Sequence, residues 1–170
     1  LSKSKNLFED IGVKVIVSDS TVTDICNDKW KTSQFLRKYG INGPKTYLLL
    51  NDAKEALKKY KIRFPLIVKP RGGMGSISVY EVNSMQELEI LYNKVKAELL
   101  KSYLKYESEA DIDRCVIIQE KLTGQEYGMD VINDLEGNYQ NTIVKRKIAM
   151  RAGETDIAET VDNPKLKDLG

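Results

Sequence analysis

One short stretch, from Phe64 to Tyr80, constrains the fold of this 170-residue chain more than any other. It reads FPLIVKPRGGMGSISVY. The apolar run 66–68 predicts a buried strand, and Pro65 precedes that strand at a position where a missing N–H matters least. Apolar and polar residues alternate again from Ile77 to Val82, as in a half-buried strand. The stretch therefore predicts a β-hairpin with a glycine-rich turn.

The turn has the composition of an anion-binding loop. Gly72, Gly73 and Gly75 let the backbone approach a ligand closely and present N–H groups that can hold phosphate oxygens. Lys69 supplies a compact positive charge at the entrance, and Ser76 adds a hydroxyl donor. The pattern matches neither a Walker A loop nor a dinucleotide fingerprint, because a strand rather than a helix follows. An ordinary glycine-rich turn is the alternative for this segment taken alone.

Composition narrows the class of protein. The chain is 41% hydrophobic and 31% charged, which is typical of a globular domain or two small lobes. Its 27 Lys and Arg are scattered among 25 Asp and Glu, so no basic patch indicates a nucleic-acid partner. The absence of histidine excludes histidine-based triads and most catalytic zinc sites.

The cysteines and the apolar runs indicate the compartment. Cys26 and Cys115 lie far apart without metal-type spacing, which favours structural thiols in a reducing compartment and therefore the cytoplasm. No apolar run approaches the roughly 18 residues of a membrane-spanning helix. No signal-peptide pattern opens the chain. We therefore expect no membrane partner.

Caps and hydrophobic periodicity predict the remaining elements. In the first half they predict a helix over 3–11, a strand over 13–17, a polar turn over 18–27, a helix from Asn27 or Asp28 to Tyr39, a strand over 46–50 and a helix from Asp52, capped with Glu55 and buried through Ala53, Ala56, Leu57 and Tyr60. In the second half they predict a helix from the capping box Ser84–Glu87 to Leu104, a loop over 107–114, a strand over 115–118 and a hairpin of 127–133 with 139–150. Over the last twenty residues they predict a terminal loop followed by the truncated opening of a further element.

Four motifs in this order resemble the ATP-grasp superfamily, particularly the ATP-grasp domains of carbamoyl-phosphate synthase large-chain-like proteins. They are Asp28-Lys29 opening a helix, FPLIVKP with GGMGS over 64–76, VIIQEKLTGQEY over 116–127 with Asp130 beyond it, and KRKI with RAGE over 145–154. Each motif alone is weak. Four of them in order across about 125 residues form a specific signal.

The resemblance implies an α/β (α+β) ATP-grasp fold in three segments. Residues 1–22 would end a preceding α/β domain, and residues 23–118 would form a first lobe with an antiparallel sheet, flanking helices and a glycine-rich flap. Residues 119–170 would form a hinge and the truncated start of a second antiparallel lobe. The family's late E-x-N-x-R type motif, which holds Mg²⁺, is not found. We therefore expect a piece of a longer protein whose metal ligands lie outside this chain.

The resemblance also implies roles for the first-lobe residues. Lys29 and Lys69 would contact ATP phosphates, and Gly72, Gly73, Gly75 and Ser76 would lie in a flexible flap over the β- and γ-phosphates. Gln119, Glu120 and Leu122 would belong to the hinge that receives adenine, where the Glu120 C=O and the Leu122 N–H face the purine edge.

Two further roles are implied beyond the hinge. Glu126 would accept the ribose hydroxyls. Lys147 would be the catalytic cation that reaches the γ-phosphate or the acyl phosphate. Lys145 competes for this role because it shares the strand face of Lys147, and Arg146 competes from the other face.

The implied activity is that of a ligase. ATP converts a small carboxylate to an acyl phosphate, which an amine, ammonia or a thiol then attacks, while cations stabilise the transferring phosphoryl group. The 170 residues alone are not expected to complete a turnover, and the pattern says nothing about oligomeric state. A non-catalytic nucleotide-binding regulatory module is the first alternative, and a plain α/β interaction domain with coincidental motifs is the second. The presence of both lysines and Glu126 argues against the first.

Overall fold

The computed structural model describes residues 1–151 and 153–170, apart from the side chain of Glu107. Residue 152, within the RAGE motif, lies outside the described residues. The chain divides into two compact units, Leu1–Leu122 (unit 1) and Thr123–Gly170 (unit 2). Each unit combines an antiparallel sheet with helices, so the α/β (α+β) class predicted from the sequence is confirmed.

Unit 1 contains six helices and four strands among its described residues. The helices are α1 (Lys5–Glu9), α2 (Ser20–Asn27), α3 (Lys29–Lys38), α4 (Leu50–Lys58), α5 (Met85–Leu99) and α6 (Lys105–Glu109), with short 3₁₀ helices at Ser2–Ser4 and Ile112–Arg114. The strands are β1 (Thr46–Tyr47), β2 (Leu66–Pro70), β3 (Tyr80–Val82) and β4 (Val116–Glu120). They form one sheet in the order β1-β4-β2-β3, with every neighbouring pair antiparallel.

The core of unit 1 lies between α5 and one face of this sheet. The buried stripe of α5 is Leu88, Tyr92, Val95 and Leu99, at the spacing that the sequence periodicity predicted. It belongs to one cluster with Leu66 and Val68 of β2 and Val116 and Ile118 of β4. Because side chains alternate along a strand, Ile67 and Lys69 emerge on the opposite face of β2. That opposite face is where the candidate site lies.

Two helix starts follow their predicted caps. The Asp28 carboxylate accepts the N–H groups of Trp30 and Lys31 and begins α3. Ser84 Oγ accepts the Glu87 N–H at 3.2 Å and begins α5. Local hydrogen bonds of this kind are encoded within four residues, which is why the sequence predicts them well.

The predictions for the first 27 residues were wrong in two places. The predicted strand 13–17 does not form, since no strand among the described residues pairs with it and Ile16 is 82% exposed. The predicted turn 18–27 contains α2, whose polar and β-branched residues are weak helix formers. Packing against α3 stabilises this helix, and the Thr32 hydroxyl donates to the Ile25 carbonyl oxygen at 2.7 Å.

Several predicted boundaries in unit 1 were also wrong. The strand predicted over 46–50 is only Thr46–Tyr47, and α4 begins at Leu50 without a side-chain cap, so the predicted Asp52 start does not hold. Ala53 and Ala56 are buried as predicted, but Tyr60 is 80% exposed. The long helix ends at Leu99 rather than Leu104. The predicted loop over 107–114 instead contains the end of α6 and a 3₁₀ turn.

The described residues of unit 2 form a three-stranded sheet and one helix. Its strands β5 (Tyr127–Asn133), β6 (Tyr139–Arg151) and β7 (Glu154–Thr160) lie in that order, each antiparallel to its neighbour, and α7 spans Pro164–Leu169. The predicted β5–β6 hairpin is confirmed. The predicted terminal loop was wrong, because β7 and α7 form there. β7 is exposed throughout and lacks an apolar pattern, so only its pairing with β6 reveals it.

None of the described helices is long and apolar enough to cross a membrane.

Candidate functional site

The glycine-rich turn between β2 and β3 is wider than the sequence predicts. The strand resumes at Tyr80 rather than Ile77. Gly73 and Gly75 have φ values of +79° and +74°, a left-handed conformation that glycine adopts without strain. A Cβ on Gly73 would lie 2.6 Å from Leu104 Cδ1, so a side chain does not fit there. The loop over 71–79 therefore has a backbone shape that depends on its glycines.

Lys29 lies at the first position of α3 and reaches the glycine-rich loop. Its Nζ donates to the carbonyl oxygens of Gly72 at 3.1 Å and Gly73 at 2.7 Å. The Lys29 backbone N–H also donates to the Arg71 carbonyl oxygen at 3.0 Å. The fold thus brings together Lys29 and a loop that lies more than forty residues along the chain.

Lys69 stands on β2, on the sheet face opposite the core. Among the described residues no hydrogen bond or ion pair engages its Nζ, and burial lowers its pKa. The pKa of Lys29 is lowered as well, first by burial and then by the positive charge of Lys69, with Asp28 acting in the opposite direction. The two half-buried ammonium groups are therefore close enough to interact, and neither has a carboxylate partner among the described residues.

The two lysines line two adjoining cavities within unit 1. The larger, about 760 Å³, is bounded by α3, the segment 41–47 and Gln119. The smaller, about 370 Å³, is bounded by the glycine-rich loop, including Gly72, Gly73, Gly75 and Ser76. No aspartate or glutamate of the described residues lines either cavity. Two further basic residues, Arg37 and Lys45, line the larger one. The combined space is therefore positive and fits a polyanion with a larger polar or aromatic part.

A second feature escaped the sequence analysis, which treated Asp28 only as a helix cap. The Arg71 guanidinium donates to both carboxylate oxygens of Asp28, at 2.7 to 3.0 Å. Burial alone would raise the pKa of Asp28, but the hydrogen bond from Arg71 and those from backbone N–H groups hold it below its usual value. The sequence hinted at this ion pair only through the positions of its residues. Asp28 directly precedes Lys29, and Arg71 comes two residues after Lys69.

The three predicted hinge residues have different surroundings. Gln119 and Glu120 lie on β4 rather than in a connection. Gln119 lines the larger cavity, and its Nε2 donates to Thr46 Oγ1 at 2.8 Å. The Glu120 side chain accepts the Lys45 N–H at 2.9 Å, and the Glu120 N–H donates to the Lys45 carbonyl oxygen at 3.0 Å. Leu122 is 67% exposed and ends unit 1.

The predicted residues of unit 2 form ion pairs on its sheet. Lys147 pairs with Glu126, and its backbone N–H donates to the Glu126 carbonyl oxygen at 3.0 Å. On the same face Lys145 pairs with Asp130 at 2.6 Å, while Arg146 points to the other face and pairs with Glu159. Unit 2 therefore brings Glu126 and Lys147 together.

No group of three or more His, Cys, Asp or Glu able to hold a metal ion occurs in the described part of the chain.

The ATP-grasp domain family has a sequence model that matches residues 62–161. The carbamoyl phosphate synthase large chain of Thermoanaerobacter sp. (strain X514) is 31% identical over 136 residues, which are 77% of this chain and 11% of that protein. The glutamate–LysW ligase ArgX of Sulfurisphaera tokodaii is 37% identical over 130 residues, which are 71% of this chain and 45% of that protein. The chain thus spans between about a tenth and a half of the length of these relatives.

A solved structure shares the fold. The biotin carboxylase domain of the Hydrogenobacter thermophilus 2-oxoglutarate carboxylase, solved with MgADP, ADP and bicarbonate, matches with a TM-score of 0.73 at 16% identity. The match covers 99% of this chain and 37% of that one. At this identity the likeness concerns the fold alone.

Proposed function

The chain belongs to the ATP-grasp family, and from that premise we propose that it is the ATP-binding part of a cytoplasmic ligase that activates a small carboxylate as an acyl phosphate. The observation that supports this most is the pair of adjoining cavities lined by Lys29 and Lys69 without an acidic residue among the described ones. A triphosphate carries the negative charge that the surroundings of these two lysines lack. The larger cavity offers room for the rest of a nucleotide.

Each cation has a physical reason to bind phosphate. A half-buried ammonium without a carboxylate partner has lost contacts with water, and contacts with an anion replace them. Lys69 has no partner to give up, whereas Lys29 exchanges its bonds to the loop carbonyls for phosphate oxygens. Because these groups are already in place, they stabilise charge on a transferring phosphoryl group without reorganising at the moment of reaction.

The glycine-rich loop supplies the uncharged donors. We assign contacts with the β- and γ-phosphates to the N–H groups of Gly72, Gly73 and Gly75 and to the Ser76 hydroxyl. The left-handed backbone of Gly73 and Gly75 exposes N–H groups that a side chain would shield. The family chemistry uses Mg²⁺ to neutralise phosphate charge, but the described residues form no site for it, so no step here depends on it.

The remaining assignments follow from the family premise. We propose that the Glu120 carbonyl and the Leu122 N–H bind adenine and that Gln119 lines its pocket. Glu126 would accept ribose hydroxyls through the carboxylate oxygen that Lys147 leaves free. Lys147 would stabilise the acyl phosphate before an amine, ammonia or a thiol displaces phosphate.

Calorimetric titration of MgATP into the wild-type chain tests the nucleotide site. The variants are Lys29→Met and Lys69→Met, and the matched control is Lys96→Met, which removes a half-buried lysine of unit 1 that pairs with Asp113 outside the cavities. We expect the first two to raise the Kd at least about thirtyfold, because each removes a charge-assisted phosphate contact. The control should bind like wild type. Equal affinity in all four proteins would contradict the proposal.

A trapping experiment on the full-length protein tests the chemistry. Hydroxylamine converts an acyl phosphate to a stable hydroxamate, so incubation with MgATP and single carboxylates from a panel reveals activation of the matching one. The expected result is hydroxamate that depends on both ATP and one class of carboxylate. ATP binding without carboxylate-dependent hydroxamate or phosphate release across the panel would instead support a nucleotide-binding regulatory module.

A further inference from the structure

Asp28 and Arg71 form an ion pair with three hydrogen bonds close to the two lysines in the sequence. Arg71 Nε lies 2.9 Å from Asp28 Oδ1 and 3.0 Å from Oδ2, and its Nη2 lies 2.7 Å from Oδ2. The Arg71 side chain is 24% exposed and the Asp28 side chain 18%. A bidentate, partly buried contact of this kind fixes orientation as well as distance.

The pair joins the two chain segments that carry the lysines. Asp28 directly precedes Lys29 at the start of α3, and Arg71 follows Lys69 by two residues at the end of β2. The Lys29 N–H donates to the Arg71 carbonyl oxygen at 3.0 Å, and the Arg71 N–H donates at 2.8 Å to the carbonyl oxygen of Cys115, which directly precedes β4. The side-chain pair and these backbone bonds therefore connect α3, the glycine-rich loop and the sheet at one point.

Something must oppose the repulsion between Lys29 and Lys69. Each ammonium is half-buried, and the positive charge of Lys69 lowers the pKa of Lys29. Like charges at such sites separate unless the backbone around them is held. The Asp28–Arg71 pair links these two segments in addition to the bonds from Lys29 Nζ to the loop carbonyls. It adds no net charge to the cavities that the lysines line.

We propose that Asp28 and Arg71 are positioning residues that hold Lys29 and Lys69 at the spacing needed for the phosphates of a nucleotide. This inference rests on the proposed ATP-binding function. Neither residue lines the two cavities, so they act through the lysines and are not catalytic. They line a separate cavity on the other side of the loop.

The main competing role is purely structural, and Asp28 illustrates the difficulty. Its Oδ1 also accepts the N–H groups of Trp30 and Lys31, so removing the carboxylate outright would uncap α3. Serine is an equally good N-cap but cannot bind a guanidinium in two places. Asp28→Ser therefore separates capping from the ion pair. Arg71→Lys keeps the positive charge and removes the bidentate geometry.

The experiment compares MgATP affinity with stability in the whole chain. Calorimetric titration at 25 °C gives the Kd of wild type, Asp28→Ser, Arg71→Met, Arg71→Lys and the double variant Asp28→Ser/Arg71→Met. Circular dichroism confirms folding and gives the Tm of each. Lys96→Met is the control, since it removes a half-buried lysine that pairs with the exposed Asp113 elsewhere in unit 1.

We expect Asp28→Ser and Arg71→Met each to raise the Kd about tenfold and the double variant to raise it no further, since the two residues act as one unit. Arg71→Lys should give an intermediate Kd, and Lys96→Met should lower the Tm without changing the Kd. A wild-type protein that fails to bind MgATP would overturn both proposals. Binding that Lys69→Met abolishes but the pair variants leave unchanged would overturn this inference alone. If Arg71→Met does not fold, Asp28→Ser and Arg71→Lys decide.

Discussion

The cations of the two units have opposite electrostatic surroundings. On β6 of unit 2, three successive cations each pair with a carboxylate: Lys145 with Asp130, Arg146 with Glu159 and Lys147 with Glu126. In unit 1, Lys29 and Lys69 are half-buried beside each other, and no carboxylate of the described residues pairs with either. The three cations of β6 are therefore neutralised by carboxylates, whereas Lys29 and Lys69, which line both cavities, are not.

This difference separates structure from function without reference to any relative. A partly exposed ion pair is nearly neutral in free energy, so unit 2 retains its pairs at little cost. A half-buried cation without a carboxylate partner is energetically unfavourable. A fold retains two such cations near each other only if another interaction, such as the binding of a ligand, compensates for this cost. The lysines of unit 1 therefore indicate an anionic ligand.

The largest expected effect comes from neutralising the lysines of unit 1. Gln119→Glu places a carboxylate in the larger cavity with almost no change in shape. We expect the Kd for MgATP to rise at least about tenfold, because like charges brought together cost several kcal/mol. Unfolding in urea should show equal or higher stability without nucleotide. Unchanged affinity would show that the charge of the cavity is unimportant for binding.

A matched pair of glycine substitutions has the next largest effect. Gly73 in the loop of unit 1 and Gly137 in the β5–β6 turn of unit 2 both have left-handed backbones, with φ of +79° and +86°. Alanine costs about 1–2 kcal/mol from the backbone at either site. Only at Gly73 does the new Cβ meet a neighbour, Leu104, whereas nothing lies within 4 Å at Gly137.

Urea unfolding and MgATP titration distinguish the two glycine variants. Gly73→Ala should lose more stability than Gly137→Ala and should also weaken MgATP binding. Gly137→Ala should bind like wild type. Equal losses of stability and of affinity would mean that the loop of unit 1 has no special shape.

Removing a carboxylate from unit 2 should have a small effect. Asp130→Asn leaves Lys145 on β6 without its partner, but both side chains are partly exposed. We expect a loss of at most about 1 kcal/mol of unfolding free energy, with unchanged MgATP affinity. Chemical denaturation measures the first and calorimetry the second. A loss as large as that of a buried pair would show that β6 depends on its charges.

The smallest effect is a pH dependence at alkaline pH. The folded pKa values of Lys29 and Lys69 lie below the unfolded value, mainly because of burial. Above those folded values the unfolded chain binds more protons, so stability should rise with pH until about 10.4, the unfolded lysine pKa. The double variant Lys29→Met/Lys69→Met should lack this rise. If the unfolding free energies of wild type and the double variant changed with pH in the same way, this prediction would be contradicted.

Sequence patterns predicted elements whose signals are local. The stripe of α5 and the caps Asp28 and Ser84 depend on residues within a few positions of one another. β7 was missed because its seven exposed residues are stabilised by pairing rather than by composition. The isolated apolar run 13–17 was misjudged for the converse reason, since it has a strand composition but no partner among the described strands.

The candidate site depended on contacts that are distant in sequence. Lys69 was suggested by the composition of its loop and Lys29 by family resemblance, and nothing local indicated that they meet. The Asp28–Arg71 pair, 43 residues apart, was missed because the capping role of Asp28 already explained its presence. Polar groups with two roles are hard to recognise when one role is local and sufficient.

The most direct measurement is thermal unfolding of wild type and Lys69→Met, each with and without saturating MgATP. If Lys69 is retained for an anion, the variant should melt at the same or a higher temperature than wild type without nucleotide. With nucleotide the order should reverse, because a ligand at a hundred times the wild-type Kd adds roughly 2.7 kcal/mol to wild type but only about 0.9 kcal/mol to a variant whose Kd is about thirtyfold higher. A variant that melts lower without nucleotide, or an equal nucleotide shift in both proteins, would contradict the account.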